Sequence, residues 1–179
     1  ATGPGLAVAG ELTYDMAKDA VDFQLPAVSL DLQDWQAFVR RLVVLPGGQW
    51  ELAGKFAGSA EGRLAGKKLT SRGALHLREG RAAHPQGTVV AEGIEADLEF
   101  TDLAEVVTKP GALRIREVRT GQLALRDLEA ELALAGTNKI AVSRVSFKAL
   151  GGVVSVEPFS YFPDRRELEA VVLVDGINV

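Results

Sequence analysis

Three patterns in this chain have the residue types of a reactive site, and none has the spacing. The glycine-rich, lysine-bearing stretch Gly54–Lys68 suggests a phosphate-cradling loop, which needs Gly, four residues, then Gly-Lys-Ser/Thr. Here Gly66-Lys67 is followed by Lys68, and Glu61 stands where the first glycine belongs. A nucleophile elbow needs Gly-x-Ser-x-Gly. Ser59 is flanked by Ala57 and Glu61 at the key positions, and Ser71 has Leu69 where the first glycine belongs. His76 lies in an alternating run and His84 precedes Pro85, so the two lack helical ligand spacing. Cysteine is absent, which removes disulfides, thiolate catalysis and Cys-ligated metal.

Carboxylates are the remaining candidates. Asp97 with Glu99, and Glu129 with Glu131, are i,i+2 pairs, so each pair shares one face of a strand. Glycosidases use paired carboxylates in a cleft where burial raises one pKa. These alternate with apolar residues and read as a solvated face that keeps a broad sheet soluble. The chain is therefore expected not to be an enzyme and to need no metal or cofactor.

The elements that carry these residues are strands. Period-two alternation runs through Leu6–Tyr14, Ala20–Ser29, Gln49–Phe56, Leu69–Arg78, Thr88–Phe100, Leu113–Arg119, Gln122–Gly136, Ile140–Ala149, Val153–Phe159 and Leu168–Val174. In Thr88–Phe100, strict alternation puts Val90, Ile94, Ala96, Leu98 and Phe100 on one face and Ala91, Glu95, Asp97 and Glu99 on the other. In Gln122–Gly136 it opposes Leu128, Ala130, Leu132 and Leu134 to Glu129, Glu131 and Ala133. Turn signals separate the runs: Pro46-Gly47-Gly48, Gly66, Glu79-Gly80, Lys109-Pro110-Gly111, Gly136-Thr137-Asn138, Gly151-Gly152 and Pro163-Asp164. The glycines of Gly54–Lys68 read as turns or bulges in strands. The aromatic cluster Phe159–Pro163 reads as a turn tucked onto the core, with a ligand or partner patch as the alternative.

One segment has helical spacing. Asp31–Val44 places Leu32, Trp35, Phe38, Val39 and Leu42 on one face, with Asp31 as N-cap and Pro46-Gly47-Gly48 as the stop. A weak internal echo links Gly93–Glu99 to Arg126–Leu132 through the same acidic/apolar beat. Two strands in similar environments account for it. The predicted fold is all-β with one amphipathic helix at 31–44: a long, twisted antiparallel sheet curled into a groove-like architecture.

The 179 residues suit one segment, 1–179, able to bury a sizeable apolar area. Of these residues 47% are hydrophobic but only 6% aromatic, which favours smooth Leu/Val/Ala faces over stacking pockets. A net charge of -4 leaves no basic footprint for nucleic acid. No apolar run approaches the roughly 18 residues that span a bilayer. Ala1 is no initiator Met, and a strand-like run stops near Val179, so the chain reads as part of a longer protein.

From Val89 to Val179 an order of signals emerges. The strand Gly93-Ile94-Glu95-Ala96-Asp97-Leu98 precedes a Pro-Gly turn and Leu113-Arg114-Ile115. Gly121 follows with its flanking strands, then Val145–Pro158 around Gly151-Gly152, closing in Leu173-Val174-Asp175-Gly176-Ile177. This resembles the C-terminal region of the YdbH family, a family of the AsmA-like superfamily that was once labelled a dicarboxylate transport domain. The resemblance implies a periplasmic protein of a Gram-negative cell, anchored in the inner membrane by a segment not in this chain. It also implies phospholipid carriage between inner and outer membranes along a β-walled groove, with a small outer-membrane lipoprotein as partner.

A lipid conduit needs no polar pocket. At about 0.8 kcal/mol per buried methylene, a chain of ~16 carbons gains on the order of 12 kcal/mol from any apolar wall. The expected groove residues are Val90, Ile94, Leu98, Phe100, Leu128, Leu132 and Leu134. The expected partner strand contains Val171, Val172 and Val174, a β-rich run with no proline or lysine to blunt it. The alternative is a structural or protein-binding β-domain whose apolar faces are self-buried.

Overall fold

Alternation with short turns builds a meander, and the computed structural model consists almost wholly of one. It describes residues 2–3, 5–34, 50–84, 86–163 and 170–176. Thirteen strands form a single sheet: β1 (Thr2–Gly3), β2 (Leu6–Asp15), β3 (Ala20–Asp31), β4 (Glu51–Ala65), β5 (Lys68–Ala83), β6 (Val89–Asp102), β7 (Val107–Thr108), β8 (Gly111–Thr120), β9 (Leu123–Leu134), β10 (Ile140–Ala149), β11 (Gly152–Val156), β12 (Phe159–Tyr161) and β13 (Val172–Asp175). The order is β1-β2-β3-β4-β5-β6-β8-β9-β10-β11-β13, with β7 on β6 and β12 on β10. Every pairing is antiparallel. The path runs from β1 to β13 without closing, so this is an open sheet and not a barrel.

Two-residue turns set several registers. Gly66 (φ 57) closes the β4–β5 hairpin beside Ala65↔Lys68, so the phosphate-loop-like stretch is a strand and its turn. Leu150 and Gly151, both left-handed, join β10 to β11 as a type I′ turn requires. Two other turn signals act differently. Glu79-Gly80 lies inside β5 as a bulge. Lys109-Pro110 interrupts the line of β7 and β8, both of which pair with β6, where proline has no N–H for a ladder. β4 also runs past Phe56 to Ala65, its small residues tolerated by partners on both sides.

The predicted helix is represented by residues 32–34. Gln33 N donates to Asp31 Oδ1 at 2.9 Å, the N-cap contact expected of Asp31, although Asp31 itself ends β3. The rest of that prediction, including Trp35, Phe38, Val39 and Leu42, lies outside the described residues.

A central core is lacking among the described residues. The apolar residues buried there are Ala20, Leu32, Ala83, Ala149 and Val154. The accessible surface of 11872 Å² exceeds the roughly 8,400 Å² of a compact protein of 19.0 kDa. Most of the large apolar side chains are therefore half-covered by neighbours within one layer.

A row of irregularities crosses the sheet. Glu79 (φ 53) in β5, Gly93 (φ 66) in β6 and Asp127 (φ 51) in β9 are left-handed. Gly93 stands opposite Arg116 of β8, because Glu92↔Glu117 and Ile94↔Ile115 flank them. Arg116 in turn stands opposite Asp127, between Ile115↔Leu128 and Glu117↔Arg126. Such an extra residue bends a strand and shifts the phase of its alternation.

Candidate functional site

Residues directly opposed in an antiparallel ladder point to the same face, so the registers map both faces of the sheet. One row runs Leu6–Leu30–Phe56–Leu77–Ala96–Leu113–Ala130–Val145–Val156–Val172, crossing ten strands. At about 4.8 Å per strand this lane is roughly 43 Å long. A second row, Val8–Val28–Gly58–Leu75–Leu98, lies beside it, continued by Gly111–Leu132–Val142–Phe159. On the other side lie Gly80–Ile94–Ile115–Leu128 and Phe147–Val154–Val174. None of these residues is charged. Along the first row all are half-buried except the exposed Val172.

The opposite face carries the charges, paired from strand to strand. Lys55–Glu79 (2.6 Å), Arg78–Asp97 (2.6 Å), Arg119–Glu92 (3.2 Å), Arg126–Glu117 (3.4 Å) and Lys148–Asp127 (2.9 Å) lie there, with Arg72–Glu61. Asp97 also meets His76 Nδ1 at 2.6 Å. Hydrogen bonds from Arg78 first, then His76, hold the Asp97 carboxyl below the usual carboxylate range. Asp127 raises Lys148 and Glu79 raises Lys55 by the same means. A shallow depression of about 540 Å³ at the row of irregularities has a mixed lining, Glu95, Arg114, Arg116 and Glu129 beside Ile115, Leu128 and Phe147. The exposed ion pairs of this face add little to stability and keep it solvated.

Glycine marks the inside of the curl. A side chain on Gly62 would meet the Phe23 ring at 2.7 Å and Ser71 Cβ at 2.8 Å, and one on Gly73 would run into the Ser59 carbonyl. By register both glycines belong to the apolar face, Gly62 opposite Phe23 and Ser71, Gly73 opposite Ala60 and Phe100. Missing side chains let neighbouring strands close in on that side. Ser71 is a polar exception there, buried with an Oγ that has no partner.

Of the expected groove residues, Ile94, Leu98, Phe100, Leu128, Leu132 and Leu134 share the apolar face. Val90 does not. It pairs with Arg119, two residues from Glu92, on the charged side. The extra residue at Gly93 reverses the phase, so Ala91, expected on the acidic face, joins Val118 and Leu125 on the apolar one. The signal was present in the sequence: Ala91 to Ile94 is an i,i+3 step around a glycine. The left-handed positions also explain the internal echo, since Gly93–Leu98 and Asp127–Leu132 both begin at one. The N-terminal strands add Leu30, Phe56, Leu75 and Leu77 to this face, which alternation within each strand does not connect to the later ones.

Val172 and Val174 lie on the apolar face opposite Val156 and Val154 in the last strand of the order. Glu157 N donates to the Val171 carbonyl at 3.0 Å. By alternation, the backbone groups of Val172 and Val174 point away from β11, toward an edge with no partner strand among the described residues.

No group of three His, Asp or Glu among the described residues could hold a metal. What the arrangement can do is cover hydrocarbon along one uncharged face while water solvates the other. Residues 17–179 match the family model YdbH-like, described as intermembrane phospholipid transport protein YdbH, well beyond the Val89–Val179 span of the sequence resemblance. No curated protein and no solved structure matches the chain.

Proposed function

This chain belongs to the YdbH-like family, a family of intermembrane phospholipid transport proteins rather than of enzymes, and we propose that its apolar face is the surface along which phospholipid acyl chains travel. The observation that carries this reading is the uncharged row from Leu6 to Val172, uncovered by any second layer of described residues. Each strand adds a similar half-buried step, so an acyl chain exchanges one set of methylene contacts for the next without crossing a polar barrier. The headgroup stays at the open side in water. In this proposal the chain is a segment of a longer periplasmic protein anchored in the inner membrane of a Gram-negative cell. An outer-membrane lipoprotein adds a strand at β13, where Val172 and Val174 present the free edge and Val171 flanks it.

Photo-crosslinking amino acids at Ile94, Leu98 and Leu128 test the reading in cells. Phospholipid captured there, and not at Asp97 or Glu99, is the expected result. Equal capture from both faces, or none from either, overturns it in favour of a structural β-domain.

A further inference from the structure

We propose that the lip formed by the β2–β3 and β4–β5 turns docks on an anionic phospholipid bilayer, a site that rests on the lipid-carrying reading and gives its apolar face a point of entry. Leu12, Tyr14 and Met16 are 76%, 56% and 85% exposed, and Leu64 and Leu69 are each 41% exposed. By register Tyr14–Val21–Leu64–Leu69 is one row across four strands, on the same face as the apolar lanes. A hydrocarbon chain could move from this lip onto the lanes without meeting a charge.

The charges around the lip select the surface. Residues 15–22 and 63–68 hold four cations against three carboxylates, in a chain whose net charge is -4. Each carboxylate is engaged: Asp15 with Lys18 (3.6 Å) and Arg63 (3.7 Å), Asp22 with Arg63 (3.3 Å), and Asp19 accepting the Tyr14 hydroxyl at 2.8 Å. The ammonium groups of Lys67 and Lys68 meet no carboxylate among the described residues. Exposed leucine, tyrosine and methionine beside uncompensated lysines match a bilayer with anionic headgroups: the apolar tips enter the interface and the lysine stems reach its phosphates. At the other end of the strands, the cations that flank the turns Gly121-Gln122 and Leu150-Gly151 are paired, Arg119 with Glu92 at 3.2 Å and Lys148 with Asp127 at 2.9 Å.

Co-sedimentation with phosphatidylcholine vesicles, with and without phosphatidylglycerol, tests the lip. The chain should bind the phosphatidylglycerol vesicles preferentially. Lys67→Gln with Lys68→Gln should weaken that binding roughly thirty-fold, at about 1 kcal/mol per lysine near an anionic surface. Met16→Ser with Leu69→Ser should weaken it as well. Unchanged binding in these exposed-residue variants overturns the proposal, as does self-association through Leu12 and Met16 in place of vesicle binding. Loading of phosphatidylglycerol from detergent micelles separates the two ideas. Lip variants should load normally, while Leu98→Glu should fail to load yet still sediment with vesicles. Normal loading by Leu98→Glu would count against the lipid-carrying face and leave the lip standing.

Discussion

Gly93 and Asp127 lie on one row of the sheet, joined through Arg116, and both hold left-handed backbone at φ 66 and φ 51. Each is followed by the same sequence of environments: apolar, acidic, alanine, acidic, leucine. Without this shared break, β6 would carry Glu92 onto the apolar face and β9 would carry Arg126 there. The break instead pairs Arg126 with Lys148 and Glu92 with Arg81 on the charged side.

That phase change is directly testable. Crosslinkers at Ala91, Val118 and Leu125 should capture phospholipid, and one at Val90 should not. Capture at Val90 but not Ala91 would show that alternation runs straight through Gly93.

The left-handed positions should respond in opposite directions. Asp127→Gly removes a left-handed cost of roughly 1 kcal/mol, and the exposed Lys148 pair it gives up is worth little. It should be neutral or slightly stabilising in urea unfolding. Gly93→Val places a β-branched side chain at φ 66 and against Arg116 Cβ, 2.8 Å from the new Cβ, and should destabilise by about 2 kcal/mol or more.

Gly73→Ala should cost roughly 1–3 kcal/mol, because its new methyl meets the Ser59 carbonyl and backbone must move. Gly66→Ala has open space around it but a left-handed φ of 57, so it should cost only about 1 kcal/mol. Urea midpoints for the two variants check the order.

Asp97 gives the sheet an acid limb. Its folded carboxyl is held below the usual range by Arg78 and His76, so the stabilisation is complete above the unfolded pKa of about 4. It is lost as pH falls through the lower folded value. Asp97→Asn should therefore flatten the fall in stability below about pH 4. An unchanged acid limb, measured by urea unfolding across that range, would remove Asp97 from the account.

Val172→Pro should block strand addition at β13 while leaving the β11–β13 ladder in place, because the Val172 N–H points to the free edge. Leu173→Pro, one residue on, removes a ladder donor and should loosen β13 itself. Hydrogen exchange at Ser155 and Val174 distinguishes the two.

The sequence alone determined that this is a β-meander with one apolar and one charged face and no chemical motif. Alternation and turn residues are local signals, readable along Ile94–Phe100 or Leu128–Leu134 without knowing any partner. Its family was legible from the ordered strands after Val89. The tertiary structure decided what depends on neighbouring strands. Whether Glu79-Gly80 is a turn or a bulge depends on β4 and β6 continuing past it on both sides. Which face receives Val90 depends on one extra residue at Gly93, and a shift of one reverses every side chain beyond it. The lane from Leu6 to Val172 exists only through nine successive pairings across ten strands, and no single strand contains it.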